Sequence, residues 1–272
     1  MSNANESVPP RPFDASGSSL TGSAAVDPQA PRVIGRDDHD WPLFDPAPAA
    51  VLLDVDGTLL PNTTTFLFAR MLRRRGFIKR SILLRALYHG LQHHFGQLDY
   101  AKLVEFACSN LTAIPDGQLR AMAEENFELQ VKPRLFLGVV DHVRWLRDQG
   151  AAVAMVSSSP EVVLRPLADH LGCNDLLTTP VRVENGRFLG LGDGPPCYGA
   201  GKLHWAQVWA KSRGIRLDHA AAYADNWSDR PLLEAVGVAA VVHPRRRLRQ
   251  LARERGWLIL RPRVAASRSR AH

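Results

Sequence analysis

The chain has 272 residues, which suits one large domain or two small ones. Hydrophobic residues make up 45% and charged residues 22%, so most of the chain can bury a core and wholesale disorder is excluded. The formal net charge is +7, from 29 Arg and 5 Lys against 27 acidic residues. A positive net charge of this size suggests nucleic acids and anionic membranes as candidate partners.

The sequence also argues against several other classes of protein. No apolar run reaches the ~18–20 residues of a transmembrane helix, and the first residues lack the basic and apolar regions of a secretory signal. The three cysteines (Cys108, Cys173 and Cys197) are widely spaced and form no CxxC pair. We therefore expect neither a disulfide framework nor a structural zinc site, and we predict a cytoplasmic protein.

Composition divides the chain into three parts. Residues 1–47 are rich in Pro, Ser, Ala and Asp, lack apolar periodicity and carry a net charge of −4, so we expect a disordered leader. The folded domain is predicted over 48–262, and residues 263–272 are predicted to form a basic tail. Ten Arg and one acidic residue lie between positions 245 and 270, a net charge of +9.

The domain begins with the continuous apolar run AAVLLDV (49–55), which is typical of a buried parallel strand. Residues 64–131 then show apolar residues at three- and four-residue spacing, broken by Gly, Asp and Pro, which predicts several helices. We interpret this segment as a helical cap inserted into an α/β core that consists of 48–63 and 132–262.

Strand and helix patterns alternate after the cap. In chain order the predicted elements are a helix over 133–150, a strand over 151–157, a helix over 160–172, a hairpin around the Asn-Gly pair at 185–186, a helix over 201–214, a strand over 220–225, a short helix over 229–237, a strand over 238–244, an Arg-rich helix and a strand over 257–260. This alternation predicts a parallel sheet that is covered by helices on both faces.

Polar side chains follow three of these predicted strands. Asp54 and Asp56 end the first strand, Ser157 ends the second, and Asp225 ends the strand over 220–225, with Asp229 four residues on. The carboxyl ends of parallel strands meet at one edge of a sheet, which is where ligands bind in open α/β folds. We therefore expect these side chains to lie close together.

The residue types at this edge suit magnesium-dependent phosphoryl transfer. Mg²⁺ prefers hard oxygen ligands, usually one or two carboxylates together with a substrate phosphate. One Asp can act as a nucleophile and form an aspartyl-phosphate, and a second carboxylate two residues away can act as acid and base. Lys202, which begins a helix after Gly-Ala-Gly (199–201), can neutralise phosphate oxygens together with a serine hydroxyl.

These residues also carry a family resemblance. In chain order, DVDGTL (54–59), Ser157, Lys202 and DNWSD (225–229) resemble the four motifs of the haloacid dehalogenase (HAD) superfamily. A helical cap between the first two motifs is similar to that of subfamily IB, the phosphoserine-phosphatase-like hydrolases. The resemblance implies a three-layer, Rossmann-like α/β fold with a parallel sheet and an inserted helical cap.

The resemblance also implies a role for each site residue. It makes Asp54 the nucleophile and Asp56 the acid and base, and it places Ser157 and Lys202 on the phosphate. The implied Mg²⁺ ligands are Asp54, Asp225 and the backbone carbonyl of Asp56, and the implied supporting residues are Thr58 and Asp229. The implied activity is hydrolysis of a small phosphate monoester through an aspartyl-phosphate.

Three positions depart from the family pattern. Thr63 stands where phosphoserine phosphatases place a carboxylate that meets the substrate ammonium, and no acidic residue lies between Asp56 and Asp99. We therefore predict that phosphoserine is not the substrate. Ala224 replaces the usual Gly or Ser before the metal-binding Asp, and Trp227 is bulky for its loop. These two changes leave open the alternative that the chain is a catalytically weak relative of the family and acts as a binding or regulatory protein.

Two basic clusters lie outside the motifs. Residues 70–85 hold six Arg and one Lys without an acidic residue, which favours a solvated helix face over a cap that binds membranes or attracts anionic substrate. The cluster from 245 onward contains one aromatic residue, Trp257, so we expect no specific nucleic-acid partner.

The expected partner is a small phosphorylated substrate. Weak contact with an anionic membrane, and a lipid-phosphate phosphatase acting there, remain alternatives, and the sequence indicates no oligomeric state.

Overall fold

The structure of the protein is a computed structural model that describes residues 30–79 and 114–264. Its strands are β1 (Val33–Arg36), β2 (Pro42–Phe44), β3 (Ala50–Leu53), β4 (Ala152–Ser157), β5 (Asp175–Thr178), β6 (Val181–Glu184), β7 (Arg187–Leu191), β8 (Ala220–Ala224), β9 (Val238–Val242) and β10 (Leu258–Leu260). Its α-helices are α1 (Thr64–Arg74), α2 (Asp116–Asn126), α3 (Val139–Asp148), α4 (Glu161–Leu171), α5 (Ala200–Ser212), α6 (Arg230–Glu234) and α7 (Arg246–Glu254). Single turns of 3-10 or π helix lie at Phe127–Val131, Lys132–Arg134, Leu217–His219 and Trp227–Asp229.

Six strands form one parallel sheet in the order β10-β9-β8-β3-β4-β5. β3 lies at the centre, where its last residue, Leu53, is opposite Met155 of β4 and Tyr223 of β8. This register brings the carboxyl ends of β3, β4 and β8 to the same edge. The predicted parallel sheet at the centre of an α/β fold is confirmed.

Alternate residues of the sheet face two separate apolar cores. Val51 and Leu53 of β3 pack on the side of α3 and α4, whereas Ala50 and Leu52 pack on the side of α5, α6 and α7. Every residue of β3 is buried, because helices cover both faces. The three layers predicted for this fold are therefore present.

Helices also form the described parts of the predicted cap. α1 and α2 pack against α4 of the core around buried side chains that include Phe68, Leu72 and Leu119. Residues 80–113 lie outside the described residues, so the full extent of the cap, 64–131, stays a prediction. No helix in the described ranges is long and apolar enough to cross a membrane.

The structure corrects the predicted disordered leader, because residues 30–47 are ordered. β1 and β2 form an antiparallel hairpin, and Trp41 beside it is fully buried. The Trp41 ring stacks on His142 with centroids 5.3 Å apart, and its Nε1 donates a hydrogen bond to the Leu137 carbonyl across 2.9 Å. The buried rings of Trp41 and Phe44, together with the hairpin, hold this segment against the core. Residues 1–29 lie outside the described residues.

Three further elements differ from the prediction. The helix predicted over 133–150 begins at Val139, because Gly138 has a φ of +75°. The hairpin predicted around 185–186 is formed by β6 and β7, and the strand before it, β5, pairs in parallel with β4 as part of the central sheet. The predicted basic tail is ordered at its start, where Leu137 donates a backbone hydrogen bond to the Arg263 carbonyl across 2.6 Å. Residues 265–272 lie outside the described residues.

Candidate active site

A tight turn follows β3 and carries the first motif. The N–H of Gly57 donates to the Leu60 carbonyl across 2.8 Å. Gly57 has a φ of +88°, and a Cβ built on it would lie 2.1 Å from Oδ2 of Asp225. Glycine is therefore required here both by the backbone conformation and by the close approach of a carboxylate from the end of β8.

Asp54 is buried at the end of β3, and its carboxylate accepts two hydrogen bonds. Nζ of Lys202 donates to Oδ1 across 2.6 Å, and Oγ1 of Thr58 donates to Oδ2 across 2.7 Å. Nζ of Lys202 also lies 2.9 Å from Oδ1 of Asp229. Burial by itself would lower the pKa of Lys202, but the charges of these two aspartates outweigh it and raise the pKa above its ordinary value.

Three carboxylates converge beside this lysine. Asp54, Asp225 and Asp229 each offer an oxygen atom, and these oxygens all lie within 4.8 Å of one another. Burial, and then the charge of Asp54, raises the pKa of Asp225. Burial also raises the pKa of Asp229, although Lys202 opposes the change. Concentrated buried negative charge of this kind favours either protonation or a bound cation.

The carboxylate of Asp56 is held from two sides. Its Oδ1 accepts the backbone N–H of Thr64 across 2.8 Å, and its Oδ2 accepts the hydroxyl of Ser159 across 3.1 Å. Burial raises the pKa of Asp56 to about 6, against the lowering effect of the Thr64 N–H and with a further rise from the charge of Asp54. A carboxyl group with such a pKa can both give and take a proton near neutral pH.

The structure thus brings Asp54, Asp56, Asp225, Asp229, Thr58 and Lys202 to one edge of the sheet, as the motif order predicts. A family model described as haloacid dehalogenase-like hydrolase matches residues 51–234. The chain belongs to this family. It is a hydrolase with the HAD fold.

Two relatives with phosphatase names match most of the HAD chain. The chain is 32% identical over 217 residues to a probable phosphatase of Mycobacterium tuberculosis, covering 79% of this chain and 75% of the relative. It is 30% identical over 265 residues to phosphoserine phosphatase SerB1 of the same organism, covering 96% of this chain and 84% of the relative.

Solved structures agree on the fold. A Bordetella pertussis protein of unknown function has a TM-score of 0.71 and 29% identity, covering 78% of this chain and 97% of that one. A phosphoserine phosphatase solved with a phospho-aspartyl intermediate analogue has a TM-score of 0.58 and 18% identity, covering 79% of this chain and 93% of that one. At this identity the second likeness concerns the fold alone.

The fourth HAD motif contains Trp227, whose ring packs against the core and two arginines. The partly buried Trp227 ring packs against the apolar core that α5, α6 and α7 cover. The guanidinium carbon of Arg247 lies 3.7 Å from a Trp227 ring centroid, and that of Arg230 lies 5.3 Å away. Asn226 caps the following turn by accepting the Ser228 N–H across 3.1 Å. The bulky ring and the buried Ala224 therefore coexist with convergent carboxylates.

The second HAD motif contains a site residue that sequence reasoning missed. Ser157 lies buried at the end of β4, where its Oγ accepts the N–H of Ser159 across 3.1 Å. Ser159 itself contacts Asp56, and its Oγ lies 3.0 Å from Oγ1 of Thr64 and 2.8 Å from Oγ1 of Thr65. The signal in the sequence is the run of three serines, 157–159, that begins with the last residue of β4; only the first of them matches the motif.

Proposed function

We propose that this HAD hydrolase is a Mg²⁺-dependent phosphatase that hydrolyses a small phosphate monoester through an aspartyl-phosphate. The observation that carries the proposal is the convergence of Asp54, Asp225 and Asp229 around Lys202 at the carboxyl edge of the sheet. The phosphatase names of two relatives support the same reaction class. A cytoplasmic location and a small phosphorylated partner belong to the same proposal.

The residues at this edge fit a magnesium ion. They offer hard carboxylate oxygens within 4.8 Å of one another. Lys202 pairs with Asp54 and Asp229, but within the described ranges no Lys, Arg or His forms an ion pair with Asp225. The proposed ligands are Asp54, Asp225 and the backbone carbonyl of Asp56, with Asp229 in support. When bound, Mg²⁺ supplies positive charge that attracts the phosphate oxygens of the substrate.

Two steps by the residues of the chain complete the reaction. A carboxylate oxygen of Asp54 bonds to phosphorus while the bond from phosphorus to the alcohol oxygen breaks, and Asp56 donates its proton to that oxygen. Water then bonds to phosphorus as Asp56 takes up its proton, and the bond between Asp54 and phosphorus breaks. One ester and one water thus give one alcohol and one inorganic phosphate.

The surrounding side chains position these groups. Thr58 and Lys202 each hold one oxygen of Asp54, which orients the carboxylate in the absence of substrate. Lys202 and Ser157 are proposed to hold the phosphate oxygens, because an ammonium and a hydroxyl stabilise the negative charge that develops there. Opening and closing of the helical cap is proposed to control the entry of water.

Phosphoserine remains an unfavoured substrate in this proposal. Thr63, exposed at the start of α1, carries no charge to meet an ammonium group, and no acidic residue lies in 57–98. One relative is nevertheless named phosphoserine phosphatase. Steady-state rates on phosphoserine and on amine-free esters decide the question, and phosphoserine turnover well above the others would contradict the proposal.

The Asp54→Asn variant tests the reaction itself. With Mg²⁺ and p-nitrophenyl phosphate we expect the rate to fall at least about a thousandfold, because the amide cannot form the phospho-enzyme. Asp175→Asn, at the first residue of the edge strand β5 and outside the carboxylate cluster, is the matched control and should retain activity. Undiminished hydrolysis by Asp54→Asn would overturn the mechanism. Absence of hydrolysis by the wild type on a broad ester panel, with Mg²⁺ bound, would favour a binding or regulatory role.

A further inference from the structure

A cleft of about 560 Å³ opens beside the candidate active site. Gly57 and Asp225 line one wall, and His243, Arg261 and Arg263 line the other. We call it the C-terminal cleft, because its second wall comes from the last described residues. Asp225 also belongs to the cluster of three carboxylates, so the cleft borders that cluster.

The cleft lies at the same edge of the sheet as the carboxylates. Asp225 follows β8, His243 follows β9 and Arg261 follows β10, and these three strands are parallel neighbours. Side chains that follow neighbouring parallel strands lie side by side at their carboxyl ends, where open α/β sheets bind ligands. The C-terminal cleft is therefore a lateral extension of the active site.

The wall that carries the arginines is held in place by the core. Ring nitrogen Nε2 of His243 lies 2.9 Å from the Pro262 carbonyl, and the His243 ring packs on Phe136 with centroids 5.2 Å apart. The Leu137 N–H donates to the Arg263 carbonyl across 2.6 Å. Fixed backbone on both sides of Pro262 limits where the two guanidinium groups can reach.

Arg261 and Arg263 bring two guanidinium groups to the cleft. Arg261 and Arg263 are exposed, and no acidic side chain of the described residues forms an ion pair with either. The carboxylate of Asp40 accepts the backbone N–H of Arg261 and pairs with the side chain of Arg36. The cleft therefore presents positive charge next to a site that cleaves phosphate esters.

We propose that the C-terminal cleft binds a second anionic group, a carboxylate or a phosphate, on the same monoester that reacts at Asp54. The inference rests on the proposed phosphatase function and adds the class of substrate. Arginine binds both kinds of anion through paired N–H donors. A substrate with a second negative group also agrees with Thr63, which stands where an acidic residue would bind the ammonium group of a substrate.

Three esters of similar size test the proposal: glycerol 3-phosphate, 3-phosphoglycerate and 1,3-propanediol bisphosphate. For the wild type we expect KM about tenfold lower for the two esters with a second anion, since the paired N–H groups of arginine form charge-assisted hydrogen bonds with it. The double variant Arg261→Gln with Arg263→Gln should raise the KM of those two esters about tenfold more than that of glycerol 3-phosphate. A preference for one of the two identifies the second anion as carboxylate or phosphate.

The control is Arg246→Gln with Arg253→Gln, which removes two exposed arginines of α7 and should leave the KM ratios unchanged. Equal KM changes on all three esters, or none, would overturn the cleft proposal while leaving the phosphatase proposal intact. If the wild type hydrolyses no ester, the phosphatase proposal fails separately. Calorimetric binding of 3-phosphoglycerate to Asp54→Asn then still reports on the cleft, and affinity unaffected by the double variant would contradict it.

Discussion

The hydroxyl of Ser159 donates a hydrogen bond to Oδ2 of Asp56 across 3.1 Å, although the two residues are 103 positions apart in the chain. The same hydroxyl contacts Thr64 and Thr65 in the first turn of α1. The Thr64 N–H holds the other oxygen of Asp56. The proposed acid and base is thus tied at once to the end of β4 and to the start of the cap.

We expect Ser159→Ala to lower kcat by a factor of about 10 to 100 with little change in KM, because a lost hydrogen bond to a charged group costs about 1.5–3 kcal/mol. Ser159→Thr keeps the hydroxyl and should restore most of the rate. Ser212→Ala, at the end of α5, is the matched control. Steady-state kinetics that show an unchanged kcat for Ser159→Ala would exclude a positioning role.

Lys202→Met should destabilise the fold by about 3 kcal/mol, since removal of one partner leaves buried carboxylates without their counter-charge. Lys202 contacts both Asp54 and Asp229 in the interior. Lys211→Met, on the exposed face of the same helix, should have almost no effect. Urea unfolding in the presence of a chelator measures both variants, and equal midpoints would contradict the assignment.

Gly57→Ala and Gly76→Ala separate backbone strain from a steric clash. Both glycines have a positive φ, +88° and +81°, but only at Gly57 would a new Cβ meet Asp225. We expect each variant to lose about 1–2 kcal/mol from the left-handed backbone, and Gly57→Ala to lose more. Gly57→Ala should also raise the Mg²⁺ concentration needed for half-maximal activity. Identical stability and metal dependence in the two variants would argue against the close approach of Asp225.

The free energy of unfolding should depend on pH through His142. Burial lowers its pKa from 6.5 to about 4, against the charge of Asp37. Between these values the unfolded state binds more protons than the folded state, so stability falls as pH falls through this window and is constant, as far as this group is concerned, above it. The full effect amounts to about 3 kcal/mol.

Denaturant unfolding from pH 4 to pH 7 measures the effect. His142→Gln cannot titrate but can still hydrogen-bond Tyr223, whose hydroxyl lies 3.1 Å from Nε2 of His142. We expect this variant to have a flatter dependence on pH than the wild type. His204→Gln, on the exposed surface of α5, should keep the wild-type dependence. The same slope for all three proteins would show that His142 does not titrate differently on folding.

Much of the central fold follows from local patterns. The buried run over 49–55 corresponds to β3, and the strands predicted over 151–157 and 220–225 correspond to β4 and β8, because continuous apolar runs belong to parallel strands covered on both faces. Residues that follow such strands must share one edge of the sheet. The convergence of Asp54 and Asp225 was therefore predictable from their places in the chain.

The order of the motifs, the parallel sheet and the carboxylate edge were determined by the sequence itself, because strand ends and glycine turns are local features. Contacts between side chains that are far apart in the chain depend on the tertiary structure, because no local pattern specifies them. Packing alone brought Trp41 into the core, Ser159 onto Asp56, and the basic residues Arg261 and Arg263 beside Asp225. The net charge of +7 follows from the sequence, but a net charge does not say where the basic residues lie. Folding places two of the arginines in the cleft beside Asp225.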